Sequence, residues 1–148
     1  MVCYDEKMQR PGIGVGVFIF KNGKFLMILR HGAHGKGTWS VPGGWMEYGE
    51  SFGRTAEREV MEEVGLKIKN VRFGAVTNTV FRKEKVHSVT LWLLSDYQGG
   101  QTKIMEPQKI KDLAWADFDS LPKPLFQPWE NLLDSEFITG MKRQLKNT

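Results

Sequence analysis

The chain has 148 residues, of which 41% are hydrophobic and 26% are charged, and its formal net charge is +4. This length predicts a single domain over residues 1–148, and the composition excludes a disordered or fibrous protein. The first seven residues lack the basic start and the apolar core of a secretory signal. Since the apolar runs are also too short to span a membrane, we expect a cytoplasmic protein with no membrane partner.

The distribution of positive charge indicates what the protein binds. Lys and Arg residues are scattered along the chain and do not form one long basic run. This distribution favours a phosphate-bearing small molecule as the partner over a polymeric nucleic acid. The single cysteine, Cys3, cannot form an internal disulfide and is expected to be incidental.

The first third of the chain predicts a β-hairpin and a short strand. Apolar runs on either side of Asn22-Gly23 form the hairpin over residues 14–29, because this pair readily adopts the positive φ angles of a tight turn. The Gly- and His-rich residues 30–38 are expected to form a loop. A brief strand that ends in a glycine turn is expected over residues 39–44.

The middle of the chain predicts a helix and a second hairpin. Ser51 is a typical N-cap residue and Gly65 is a typical stop signal, so we expect a helix from residue 51 to about residue 66. Apolar stretches at residues 71–81 and 86–94 flank a charged turn. They predict a second pair of strands.

The last third predicts a short strand around residues 113–115 and helices over residues 129–133 and 137–145. The sequence contains neither an internal repeat nor a linker that would divide domains. Strands, one helix, further strands and terminal helices together indicate an α/β fold, with a mixed β-sheet sandwiched between α-helices.

Three glutamates of the predicted long helix share one side. At about 100° of rotation per residue, Glu59 and Glu63 nearly eclipse each other and Glu62 lies within roughly a right angle of them. Like charges at this spacing destabilise a helix, and a hard divalent cation such as magnesium would compensate them. The alternative, a merely solvated acidic surface, is equally common for such clusters.

The sequence around these acids resembles the Nudix box. It contains Gly44, five residues, Glu50, seven residues, and then a run from Arg58 to Leu66 that reads Arg-Glu-apolar-x-Glu-Glu-x-Gly-apolar. Every fixed position of this pattern is filled, which makes it far more specific than a lone glycine-loop motif. The resemblance implies the Nudix fold, and further matches outside the box resemble the MutT-like branch of the family.

The resemblance also implies a metal and catalytic site. Glu59 and Glu63 would be the principal ligands of Mg²⁺, or of Mn²⁺ in its place. Glu62 would support them or activate water, and the backbone carbonyl of Gly43 would be a further ligand. Such an ion would neutralise phosphate oxygens and lower the pKa of a bound water.

By the same resemblance, the reaction is hydrolysis of a nucleoside diphosphate linked to another group. A nucleoside triphosphate, including an oxidised purine such as 8-oxo-dGTP, would give the monophosphate and pyrophosphate. The alternatives are another diphosphate, such as ADP-ribose, a dinucleotide or an isoprenoid diphosphate, and a non-catalytic module that binds nucleotide or RNA. A homodimer is a further expectation from the resemblance.

Recognition of the substrate is expected from five residues outside the box. The resemblance assigns this role to Ser40, Val41, Thr90, Phe126 and Trp129. An aromatic ring such as that of Phe126 can stack on a purine. For Phe126 and Trp129, however, packing in the core is an equally common role of large aromatic residues.

Further positions qualify the resemblance. Glu50 and Arg58 are expected to form an internal ion pair that holds the shape of the box. Gln108 replaces an acid found in relatives, which leaves Glu106 as a candidate distal metal ligand or catalytic base. Trp45 stands where relatives often have His, so the substrate preference is expected to differ.

Overall fold

The computed structural model of the protein describes residues 10–148, so the prediction for Cys3 lies outside the described residues. The described residues form a seven-stranded mixed sheet with helices on both faces. The strands are β1 (Gly12–Lys21), β2 (Lys24–Arg30), β3 (Trp39–Ser40), β4 (Gly43–Trp45), β5 (Lys67–Phe81), β6 (Val86–Gly99) and β7 (Ile110–Ala116). The helices are α1 (Phe52–Val64), α2 (Pro128–Leu133) and α3 (Ile138–Lys146).

The strand order across the sheet is β3-β2-β1-β6-β5, with β4 paired to β1 and β7 paired to β2. β1 and β6 pair in parallel, and this register sets Gly12 opposite Ser88 and Gly14 opposite Thr90. The remaining strand pairs are antiparallel. The turn between β1 and β2 has positive φ at both Asn22 and Gly23, as predicted for a tight hairpin.

Two apolar cores cover the two faces of the sheet. One is rich in aromatic rings, including those of Phe18 and Trp129, and includes residues of α2 and α3. The other is largely aliphatic and contains Val60 and Val64 of α1. Successive strand residues such as Phe18 and Ile19 enter opposite cores because side chains alternate across a strand. The predicted α/β sandwich is therefore confirmed.

α1 begins and ends where local signals predict. The hydroxyl of Ser51 accepts a hydrogen bond from the backbone N–H of Arg54 at 3.2 Å, which caps the first turn. Gly65 follows the last turn with φ of 70°, a left-handed conformation that favours glycine. With Val60 and Val64 buried in the aliphatic core, the rotation of the helix about its axis is fixed.

The observed strands differ from the predicted ones in length. β5 begins earlier and β6 ends later than predicted, because the polar ends of this hairpin still pair with each other, Lys67 with Gly99. The strand predicted over residues 39–44 is split into β3 and β4. Pro42 has no N–H to continue the ladder, while its carbonyl accepts from Val17 at 2.7 Å. Within residues 10–148, no helix has the length and apolar character needed to cross a membrane.

Candidate functional site

A cavity of about 540 Å³ lies between the first half of β1, the acidic side of α1 and the segment that precedes α2. Its volume is in the range of small-molecule binding sites. Its wall combines carboxylates, hydroxyls, cationic side chains and aromatic rings. The predicted site residues on this wall are Ser40, Val41, Gly43, Glu59, Glu62, Glu63, Thr90 and Phe126.

Glu63 is a buried acid on the cavity wall, with 6% of its surface exposed. Among the described residues, its Oε2 atom has no hydrogen-bond partner. Burial raises the pKa of this carboxyl well above its usual range, the charge of Glu59 raises it further, and a hydrogen bond from the backbone of Gly43 lowers it. A buried carboxylate oxygen is costly unless a proton or a cation compensates it. Glu63 therefore fits the role of a metal ligand.

Glu59 lies one helical turn before Glu63, and its carboxylate rests against the backbone of Gly44. A Cβ atom at residue 44 would lie 2.5 Å from Oε1 and 2.6 Å from Cδ of Glu59. Only glycine leaves room for the carboxylate in this position. Burial also raises the pKa of Glu59. Gly44, the first residue of the box, is therefore required to be glycine for a steric reason, which the spacing of the motif does not show.

Glu62 differs from the other two acids because its side chain is half-exposed. Arg58 Nη1 lies 3.4 Å from Oε2 of Glu62 and donates to Oε1 of Glu59 at 2.8 Å. Among residues 10–148, no group of three or more Asp, Glu, His or Cys side chains is arranged to hold a metal ion. Magnesium, however, commonly uses one or two carboxylates and completes its coordination with water and substrate phosphates. Glu59 and Glu63, with Gly43 beside them, fit such a site, and Glu62 fits a supporting position.

The predicted ion pair between Glu50 and Arg58 is confirmed. Hydrogen bonds from Arg58 are the main reason that the pKa of Glu50 is lowered to about 2. The same guanidinium donates to the backbone carbonyl of Trp45 at 3.2 Å. Arg58 therefore connects α1 to β4 and to the loop after β4 through hydrogen bonds.

Arg30 and three aromatic rings form another part of the cavity. The Arg30 guanidinium lies 4.0 Å from the centre of the Phe126 ring and donates twice to the backbone carbonyl of His34, at 3.1 Å and 3.0 Å. Phe126 stacks on Phe81 at 5.5 Å, and the His34 ring meets both edge-on. Burial lowers the pKa of Arg30, while the charge of Glu63 opposes this shift. Arg30 thus lies within the electrostatic reach of the acids and against an aromatic ring.

The predicted recognition residues are only partly brought together. Thr90 shares a hydrogen bond of 3.2 Å with the hydroxyl of Ser88, and Ser40 Oγ accepts from Trp129 Nε1 at 3.2 Å. Trp129 is fully buried and does not line the cavity. Of the two roles considered for Trp129, the structure gives it core packing, because the aromatic core encloses its ring. Its ring contacts the cavity wall from behind, through the hydrogen bond to Ser40 and an edge-on contact with Trp92 at 5.6 Å between ring centres.

Glu106 lies beside the cavity and does not form part of its lining. The preceding residue, Met105, donates from its backbone N–H to the carbonyl of Glu63 at 3.0 Å, which brings this segment to the end of α1. The Glu106 carboxylate lies 3.6 Å from Nζ of Lys109, and Lys109 does line the cavity. Glu106 is therefore close to the acids of α1 without sharing their wall.

Two cationic residues of the cavity wall, Arg30 and Lys109, have no predicted role from sequence. Arg30 follows the apolar residues 25–29 of β2 and stands immediately before a Gly- and His-rich loop, and this is the one signal that could have identified it. Lys109 lies in a polar segment where nothing local distinguishes it from other surface lysines. Its position follows from the hydrogen bonds that hold the segment against α1.

The fold and the cavity define an α/β protein in which acidic side chains of one helix line a cavity of about 540 Å³. The NUDIX domain model matches residues 10–135. The chain therefore belongs to the NUDIX hydrolase family, and the family predicted from the box is confirmed.

Several known proteins are similar to this chain. The NAD-capped RNA hydrolase NudC of Pectobacterium atrosepticum is 31% identical over 107 residues, which are 72% of this chain and 39% of that protein. The chain thus spans well under half of the curated relative's length. The crystal structure of a MutT NUDIX hydrolase from Burkholderia pseudomallei is 28% identical with a TM-score of 0.78, and the match covers 84% of this chain and 98% of that chain.

A third similarity concerns the fold alone. The NUDIX domain of Shewanella oneidensis NrtR, solved in complex with ADP ribose, is 20% identical with a TM-score of 0.71. The match covers 98% of this chain and 94% of that chain. At this level of identity, the similarity extends to the arrangement of strands and helices and to nothing finer.

Proposed function

We propose that this chain hydrolyses a phosphoric anhydride bond in a nucleoside diphosphate that is linked to a second group. The observation that carries the proposal is the buried Oε2 of Glu63, which has no hydrogen-bond partner among the described residues and faces a cavity beside Glu59. Such an oxygen calls for a cation, and a cation in a cavity of this size can in turn bind phosphate.

Mg²⁺ is the proposed cofactor, with Mn²⁺ as a substitute. Glu59 and Glu63 would hold it together with the backbone carbonyl of Gly43, and Glu62 and Glu106 would support the site or accept a proton from water. When bound, the ion would neutralise phosphate oxygens and lower the pKa of a coordinated water. Each of these residue roles is a proposal that substitution can test.

A nucleoside triphosphate is the first substrate class to consider. Ser40, Val41 and Thr90 offer two hydroxyls and an apolar contact on one wall, and Phe126 offers a ring that can stack on a base. Arg30 and Lys109 add positive charge on the same cavity, which suits a polyphosphate. The similarity to a MutT NUDIX hydrolase over nearly all of that chain supports this class.

A dinucleotide or a related diphosphate is the second class. The matched relatives include an NAD-capped RNA hydrolase, and a similar fold has been solved with ADP ribose. An RNA whose first nucleotide carries such a cap would present the same diphosphate chemistry. A module that binds nucleotide without turnover is a third alternative. The buried Glu63 and the partly buried Glu59 weigh against it, because burial makes their ionised forms unfavourable and binding alone does not need them.

One screen separates these classes. Purified protein in Mg²⁺ is offered nucleoside triphosphates, 8-oxo-dGTP, ADP-ribose, NAD⁺ and a dinucleotide, and the products are identified by mass. We expect release of a nucleoside monophosphate, and we expect Glu63→Gln to remove this activity without changing the Tm by more than a few degrees. Tight nucleotide binding with no product in Mg²⁺ or Mn²⁺ would support the binding module instead.

Two further expectations have their own tests. Light scattering tests the expected homodimer, and cell fractionation tests the expected cytoplasmic location.

A further inference from the structure

Three glycines leave one face of the first half of β1 without side chains. Gly12, Gly14 and Gly16 occupy alternate positions, so their Cα hydrogens face the same side of the sheet. Gly14 and Gly16 both line the cavity. A Cβ at Gly16 would lie 2.8 Å from the ring of Trp92, whereas a Cβ at Gly14 would meet its neighbours at 3.5 Å or more. The wall of the cavity at Gly14 is therefore bare backbone, where an added Cβ would fit in ordinary contact with Ser88, Gly44 and Trp45.

The indole of Trp45 borders this bare stretch. A Cβ at Gly12 would lie 2.5 Å from Cζ3 of Trp45, and one at Gly14 would lie 3.9 Å from its Cε3. The ring thus rests on the backbone of β1 while 49% of the residue stays exposed. A large aromatic side chain that lines a cavity and is only half covered by its own protein offers a surface for another ring.

Polar groups complete the surroundings of the indole. Ser88 and Thr90 lie on β6 opposite Gly12 and Gly14, and their hydroxyls are hydrogen-bonded to each other at 3.2 Å. Both residues line the cavity with Trp45. A ring that lies against the indole would therefore find hydroxyls close by for its ring nitrogens or substituents.

The acids line the same cavity as Trp45 and Phe126. Glu59 rests on Gly44, which is adjacent to Trp45 in β4, and Glu63 accepts a hydrogen bond from Gly43, one residue further along. Arg30 feels the charge of Glu63 and stacks on Phe126. The carboxylates therefore contact the backbone of β4, which carries Trp45, and lie within the electrostatic reach of Arg30, which lies against Phe126. A diphosphate at the carboxylates would have two separate aromatic surfaces within the same cavity.

We propose that Trp45 determines specificity by stacking on a planar ring in the second half of the substrate, the half that lies away from Phe126. The inference rests on the proposed function and refines it: the preferred substrates are diphosphates that carry a ring on both sides. NAD⁺ and ADP-ribose form the pair of probes, since they differ only where NAD⁺ carries the cationic nicotinamide ring and ADP-ribose carries a hydroxyl.

The experiment measures binding of both probes to the full chain by calorimetry, in EDTA and again in Mg²⁺, together with initial rates in Mg²⁺. Wild-type protein should bind NAD⁺ more tightly than ADP-ribose. Trp45→Ala should weaken NAD⁺ binding by roughly 5- to 100-fold, the effect typical of losing one stacked ring, and should change ADP-ribose binding by less than about 2-fold. Trp45→Phe should retain most of the preference because it keeps an aromatic surface.

Tyr48 supplies the control, because it is a fully exposed aromatic residue three positions away that does not line the cavity. Tyr48→Ala should leave both affinities unchanged. Equal losses for the two probes in Trp45→Ala, no wild-type preference for NAD⁺, or no binding of either probe would overturn the inference. Selective binding of NAD⁺ with no hydrolysis of any substrate in the screen would instead refute the proposed catalysis and leave the stacking role of Trp45 intact.

Discussion

Arg58 binds the carboxylate of Glu50 with two hydrogen bonds, from Nε to Oε2 at 2.8 Å and from Nη2 to Oε1 at 2.9 Å. The same carboxylate accepts from the backbone N–H of Glu47 at 2.8 Å and from the hydroxyl of Thr55 at 3.1 Å. These bonds join the loop after β4 to the first turns of α1. Because β4 carries Gly43 and Gly44 and α1 carries the acids, the pair sets the distance between the two halves of the proposed metal site.

Replacing Glu50 by Gln should therefore lower the Tm at pH 7, and the loss should depend on pH. The pKa of Glu50 is lowered to about 2 from its usual value of 4.5, so the folded state favours the ionised form. The ion pair stabilises fully above the unfolded-state pKa, and this contribution is lost as the pH falls through about 2. The difference in Tm between wild type and Glu50→Gln should thus stay constant from pH 7 to about pH 5 and shrink in more acidic buffer.

Glu57→Gln is the matched control, since Glu57 is an exposed acid on the same helix. Its Tm should follow that of the wild type through the same pH range. A Glu50→Gln difference that grows on acidification would contradict the assigned direction of the pKa shift.

Replacing Gly44 by Ala should reduce turnover while leaving the fold intact. The added Cβ would lie 2.5 Å from the Glu59 carboxylate, which is the movable end of a side chain, so the carboxylate must shift by about 1 Å. Misplacing a catalytic group by that distance can lower the rate by about 100-fold. The measurements are kcat in Mg²⁺ and the Tm.

Gly53→Ala separates this effect from a general intolerance of alanine. Apart from its chain neighbours and the adjacent backbone of α1, no described residue has an atom within 4 Å of a Cβ built at Gly53. Alanine is also favoured over glycine in a helix by roughly 0.5–1 kcal/mol. This variant should keep full activity and gain slightly in Tm. If Gly44→Ala were as active as Gly53→Ala, the Glu59 carboxylate would not be needed where it lies.

The parts of the site that local signals determine could be predicted from sequence. The caps at Ser51 and Gly65 fix the ends of α1 by interactions within a few residues, and helical geometry then sets which acids share a side. The Glu50–Arg58 pair spans eight residues within the same box. Both the family resemblance and interactions between residues close in sequence predict these features.

Other features depend on contacts between segments that are distant in sequence. Trp129 is buried because α2 packs it onto the sheet, and its partner Ser40 is 89 residues away. The guanidinium of Arg30 lies against the ring of Phe126, which comes from a segment far along the chain. Composition and periodicity carry no information about such pairings, and a large aromatic residue has the same appearance in sequence whether it packs or binds.

Replacing Trp129 by Phe should cost on the order of 2 kcal/mol of stability, through a lost hydrogen bond to Ser40 and a smaller ring in a close-packed core. A double-mutant cycle with Ser40→Ala isolates the hydrogen bond and should give a coupling energy of about 1 kcal/mol. Free energies of unfolding come from urea titration. Additive effects of the two substitutions on stability would show that the two residues act independently.

Trp129→Phe should also affect kinetics. It should raise KM more than it lowers kcat, because Trp129 positions Ser40 and does not line the cavity.

Replacing Glu106 by Gln tests whether this acid takes part in the chemistry. As a base or distal metal ligand near the end of α1, it should contribute roughly 100-fold to kcat with little effect on KM. Its ion pair with Lys109, at 3.6 Å, provides the competing explanation, in which Glu106 only positions a cation of the cavity wall. Lys109→Met separates the two roles: it should raise KM for a polyphosphate substrate and spare kcat. If Glu106→Gln produced the same change in KM as Lys109→Met with kcat preserved, Glu106 would have a positioning role, and the acids of α1 would perform the chemistry without it.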